Sequence, residues 1–109
     1  MATELKILGQ SNPSAATLTD CYTVPSATSA VISSLVVCNR STTATSFRIA
    51  IRKAGASIAN EHYIYYDVMI GGNDTFIATV GITLEATDVV SVYATLATLS
   101  FNLFGQENI

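Results

Sequence analysis

Residues 61–84 read EHYIYYDVMIGGNDTFIATVGITL, two runs with β-like alternation around the turn-forming Gly71, Gly72, Asn73 and Asp74. Side chains alternate across a strand, so His62, Ile64, Tyr66, Val68 and Ile70 fall on one face of the first run. Glu61, Tyr63, Tyr65, Asp67 and Met69 fall on the other. The second run sets Phe76, Ala78, Val80, Ile82 and Leu84 on an apolar face opposite Ile77, Thr79, Gly81 and Thr83. Glycine accepts positive φ, and Asn and Asp side chains bond their own backbone, so the chain can reverse at 71–74. The stretch predicts a long hairpin at the centre of an all-β domain.

Working outward, the same alternation recurs on both sides. Glu85 to Asp88 predicts a tight turn, followed by strands over Val89–Ala94 and Leu99–Phe104, the latter closed by Gly105 and Gln106. Upstream, Phe47, Ile49 and Ile51 alternate with Ser46, Arg48, Ala50 and Arg52, which turns both arginines outward together. The uncharged, β-branched run AVISSLVVCN (30–39) suits a strand central in its sheet or covered on both faces. It places Ile32, Ser34, Val36 and Cys38 on one side and Val31, Ser33, Leu35 and Val37 on the other. Thr17–Val24 forms a further strand ending at Pro25. Leu5 and Ile7, opposite Lys6 and Leu8, form a first strand that ends at Gly9 and Gln10. No segment sustains a period of 3.6 with caps, so no long helix is expected. Eight short strands at even spacing predict one domain, residues 1–109, folded as a single antiparallel β-sandwich, jelly-roll-like or Ig-like.

Half of the residues are hydrophobic and 12% are charged, against about 25% charged in an ordinary soluble domain. A surface so poor in charge suits a subunit that is covered in an assembly. With a net charge of −3 there is no basic field to gather nucleic acid or an anionic membrane, and neither is expected as a partner. MATELKILGQ has no apolar run of signal-peptide length and no other stretch approaches the roughly 20 residues of a membrane span, so the chain is expected to stay in a cytoplasm. Cys21 and Cys38 are too few for a disulfide framework and too isolated for a zinc site of about four ligands. They are expected to be buried free thiols, and no metal or cofactor is expected.

Signatures of catalysis are missing. His62 is the single histidine, no Gly-x-Ser-x-Gly elbow surrounds a serine, and Gly71-Gly72 lacks the Lys and Ser or Thr of a phosphate loop. Glu61 and Asp67 stand about 20 Å apart at strand rise, beyond the roughly 5–9.5 Å of a glycosidase pair. An exposed polar strand face explains Arg48 and Arg52 as well as a site flanking a carboxylate or phosphate would. Tyr63, Tyr65 and Met69, large side chains on the outward side of their strand, are instead the candidate protein interface.

LKILGQ, YTVPSATSAVISSLVVCNRS, SFRIAIRKAG, HYIYYDVMI, GITLEATDVVSVYA and LSFNLFGQE together cover most of the chain. In these strand-and-turn patterns the chain resembles small β-sandwich structural proteins of tailed-phage virions. The resemblance implies a non-enzymatic virion component assembled in the host cytoplasm. Foremost it implies a capsid decoration (cement) subunit that binds the major capsid protein and stabilises the head. A tail- or baseplate-associated subunit and a module binding a host-surface glycan or protein are the alternatives. The strand His62–Ile70 is apolar on both faces, of which a two-layer sandwich covers one, so self-association as a homo-oligomer through Tyr63, Tyr65 and Met69 is expected. The analogy adds a trimer as the form suited to threefold lattice points, and no active-site residue is carried over.

Overall fold

Two four-stranded antiparallel sheets face each other in the computed structural model, which describes residues 2–109. The strands are β1 (Thr3–Ser11), β2 (Thr19–Thr23), β3 (Ser29–Asn39), β4 (Thr45–Arg52), β5 (Tyr63–Ile70), β6 (Thr75–Leu84), β7 (Val89–Ala94) and β8 (Leu99–Asn108). The first sheet runs β1-β8-β3-β6 and the second β2-β7-β4-β5. That order is the jelly roll, a double Greek key in which successive strands, β4 and β5 excepted, alternate between sheets, and not the immunoglobulin arrangement.

The core forms where the inward rows of the two sheets meet. Ile32, Leu35 and Val37 of β3 and Leu99, Phe101 and Leu103 of β8 pack from the first sheet. Phe47 and Ile49 of β4 and Val90 and Val92 of β7 pack from the second, and all ten are fully buried. Each such side chain gains about 1.5–3 kcal/mol by leaving water. On β3 strict alternation fails at one place. An irregularity at Ser33 interrupts the pairing of β3 with both β6 and β8, so Ile32 and Leu35 both point inward while Ser34 and Val36 face out.

The expected central hairpin does not exist. β5 is the edge of the second sheet and β6 the edge of the first, and residues 71–74 arch from one sheet to the other. The turn chemistry was legible, but a turn specifies reversal and not the sheet that receives the next strand. Here the arch is tied to the loop after β3: Asn73, at φ 54°, donates its N–H to the Ser41 carbonyl at 2.7 Å. A Cβ on Gly72 would fall 2.1 Å from the Thr42 carbonyl oxygen, so only glycine fits that approach. Among the described strands, β4 and β5 alone are both consecutive and paired.

Two strand ends also differ from expectation. β1 continues past Gly9 to Ser11 and β8 past Gly105 to Asn108. Gly105 marks a close approach inside the sheet, since a Cβ there would lie 1.9 Å from the Val31 carbonyl oxygen. The extension of β8 carries Glu107 into the sandwich, where its buried carboxylate accepts from the Tyr22 hydroxyl (2.6 Å) and the Lys6 ammonium (2.9 Å).

Candidate functional site

The outward surface of the second sheet is built by irregularities in β5. Val68 lies opposite Phe47 and Tyr65 opposite Ile49, so Tyr66 and Asp67 together stand against Arg48. Asp67 takes up the extra residue with φ 51°, a conformation that aspartate tolerates better than most residues. A second slip between Ile49 and Ala50 brings Tyr63 opposite Ala50.

These bulges correct the face assignment. Tyr65 turns inward, its ring 6.3 Å from Phe47 and 5.5 Å from Phe76, and packs against the core. Of the three residues expected to form an interface, Tyr63 and Met69 remain on the outer side and Tyr65 does not. Tyr66 joins them there. Met69 is 71% and Tyr66 56% exposed, while half-buried Tyr63 meets the Tyr66 ring edge-on at 5.0 Å. Period-two alternation could not reveal this exchange, because a bulge leaves no mark in hydrophobicity.

Arg48 organises the surface. Its guanidinium carbon sits 4.2 Å from the Tyr66 ring centre and 4.5 Å from that of Tyr93. Its Nε donates to Asp67 Oδ1 at 2.6 Å and its Nη2 to Oδ2 at 3.3 Å. The stacked, bidentate arrangement holds Tyr66 in one place and leaves Arg48 little capacity for a free anion. Arg52 is likewise committed, donating to Asp20, to Ser91 and to the Gly55 and Ala56 carbonyls. Both arginines do face outward, as expected, and each is matched to a carboxylate.

Beside this cluster a shallow hollow of about 450 Å³ is lined by Asn60, Tyr63 and Tyr66. His62 belongs to the 3₁₀ turn Asn60–His62 ahead of β5 and not to the strand itself. Its Nδ1 accepts the Ala59 N–H at 2.9 Å, which makes the imidazole a turn clamp. Among the described residues no three His, Cys, Asp or Glu side chains gather in a metal-binding cluster.

Cys21 on β2 and Cys38 on β3 are free, lie on opposite sheets, and are half-buried where full burial was expected. Burial pushes the Cys21 thiol up to about 11. At pH 8 its thiolate is therefore scarce, and alkylation by iodoacetamide is expected to run at least about tenfold slower at Cys21 in the folded protein than in urea. Peptide mass spectrometry of a time course reads this directly, and equal rates in the two states would contradict it.

Comparison with family models, curated proteins and solved structures returned no match.

The outer face of the first sheet is of a different kind. Cross-strand rows such as Ile7, Phe104, Ser34 and Thr79, or Gln10, Asn102, Val36 and Ile77, carry no charge. Leu5, Ile7 and Ile77 stand in the open on it. The sandwich thus has one neutral face and one face of tyrosine, arginine and methionine.

Proposed function

We propose that the protein is a non-enzymatic structural subunit of a tailed-phage virion, a capsid decoration (cement) protein that seats on the lattice of the major capsid protein and stabilises the head. The observation that carries this reading is the surface formed by Tyr63, Tyr66, Met69 and Arg48. Tyrosine, methionine and arginine are the residue types enriched at protein contacts. Stacking and the Asp67 bridge fix Tyr66 in advance, so little side-chain entropy is lost on docking. The resemblance of the strand-and-turn segments to virion proteins supplies the address. Jelly rolls recur in capsid proteins and lectins, which is an analogy of architecture. The single histidine is engaged as a turn clamp, so the reading requires no catalysis.

Co-sedimentation with purified phage heads tests the proposal. The wild-type protein is expected to bind heads at regular stoichiometry. Tyr66→Ala is expected to weaken binding at least about tenfold, the scale of a contact hot spot, with its melting temperature nearly unchanged. Heads that neither contain nor bind the protein, or a Tyr66→Ala variant that binds like wild type, would refute it.

The hollow lined by Asn60, Tyr63 and Tyr66 favours one second reading, a host-surface glycan module, since sugars stack on aromatic rings beside amide groups. Binding to a glycan array that Tyr66→Ala abolishes, with no binding to heads, is the outcome that selects it.

A further inference from the structure

We infer that β6 is a pairing edge, and that its partner is β6 of a second copy of this chain, laid antiparallel across a twofold axis so that two four-stranded sheets become one of eight. An unpaired strand edge offers free backbone donors and acceptors, and folded proteins ordinarily block such edges with charges, bulges or a covering segment. Three of the four edges here are blocked. β1 carries Glu4 and Lys6 and a register break between Ile7 and Gly9. β2 is five residues long, bears Asp20, has its own register break, and lies so close to β1 that a Cβ on Gly9 would sit 2.3 Å from the Cys21 carbonyl oxygen. β5 has two register breaks and Asp67.

β6 differs from all of them. It is ten residues, TFIATVGITL, with no charge and no proline; its one register shift sets Val80 and Gly81 against Ser33, yet its exposure alternates without interruption, so the edge stays flat where those of the other three do not. A second observation points the same way. The inward residues Phe76, Ala78, Val80 and Ile82 pack on the core yet remain only partly buried, because no strand flanks them. A neighbouring strand would complete their cover.

The partner must itself be an unblocked, uncharged edge, and among the described strands only β6 meets that condition. Matching faces then restricts the register to pairs of outward with outward residues. The register centred on Thr79 sets Thr79 against its own copy and Thr75 against Thr83, pairs of the kind that hydrogen-bond across strands. It also lays Ile77 beside Gly81, where the missing side chain leaves open space. On the inner side Phe76 meets Ile82 and Ala78 meets Val80. Thr75 to Thr83 are all opposed in this register, a seam about 30 Å long. Such self-complementary contacts are isologous and close as dimers, in place of the trimer expected from the resemblance. The pairing uses the backbone edge of the first sheet and the tyrosine surface is the outward face of the second, so either proposal can fail without the other.

Size exclusion with light scattering at tens of micromolar is expected to give a dimer. Thr79→Lys and Thr79→Glu each set two like charges opposite each other and are expected to weaken association at least about tenfold. An equimolar mixture of the two variants is expected to recover the dimer, because opposite charges then meet; recovery also shows that both variants fold. Hydrogen exchange of the wild-type amides 75–84, compared at high and low protein concentration, reads the same contact without any substitution. A wild-type monomer or trimer, variants that dimerise normally, a mixture that stays monomeric, or exchange independent of concentration would each overturn the inference.

Discussion

Phe47→Ala is expected to lower the unfolding free energy by about 3–5 kcal/mol, a large part of the roughly 5–15 kcal/mol that a domain possesses. The ring is fully buried. It stands at the junction of the two sheets, 5.3 Å from Phe76 on β6, 6.0 Å from Phe101 on β8 and 6.3 Å from Tyr65 on β5. Truncation loses the transfer energy of the ring and leaves a cavity whose walls belong to both sheets, so neither can close it without shifting its register with its neighbours. Phe47→Leu retains most of the volume and is expected to cost less than half as much. Urea unfolding followed by far-UV circular dichroism measures both, and a loss below about 1 kcal/mol for the alanine variant would show that the aromatic cluster does not join the sheets as described.

Glu107→Ala is expected to cost about 3 kcal/mol at neutral pH, and to change how stability responds to acid. Removing the carboxylate leaves the buried Tyr22 hydroxyl with no acceptor and opens a void between β8 and β2. The hydrogen bond from Tyr22, followed by that from Lys6, holds Glu107 below its ordinary value of 4.5, with burial opposing them. At Asp88 burial is the largest influence and pushes upward. The N–H groups of Ala54 and Glu85 together outweigh it and hold the carboxylate below 3.8. A carboxylate whose folded value is depressed contributes stability above its unfolded value, and that contribution disappears as pH falls through the folded one. The wild-type protein is therefore expected to keep its stability down to about pH 4.5 and to lose it progressively below. In Glu107→Ala the plateau is lower and the acid-side decline shallower. Unfolding midpoints from pH 7 to 2 decide the matter, and parallel curves for the two proteins would rule out the assigned role of Glu107.

Much of this architecture was legible in the residues. Phe47 and Ile49, or Leu99, Phe101 and Leu103, alternate so cleanly that their strands and inward faces follow from period alone. The turn residues at 71–74 and 85–88 marked real reversals. Long-range choices were not legible. Nothing local to β5 and β6 states that they belong to different sheets, and nothing near Glu107 announces a partner 85 residues away at Tyr22. The face assignment failed at the same level: Tyr63 and Met69 stand on the outer side of β5 as expected, and Tyr65 does not. The bulge at Tyr66 and Asp67 depends on how β5 meets β4, which a single strand does not encode.

The alternation of strands between sheets also has a consequence in time. β8 lies between β1 and β3, so β1 cannot join the β3–β6 pair until residues 99–108 have arrived. A ribosome releases those residues after every other strand. Until then β1 lacks its partner strand in the sheet and β3 lacks one of its two, and both are open to neighbours on the polysome. Topologies so dominated by distant pairings fold in milliseconds to seconds rather than microseconds. The interval between synthesis of β6 and arrival of β8 is thus when the nascent chain is most open to misassembly and to capture by a chaperone.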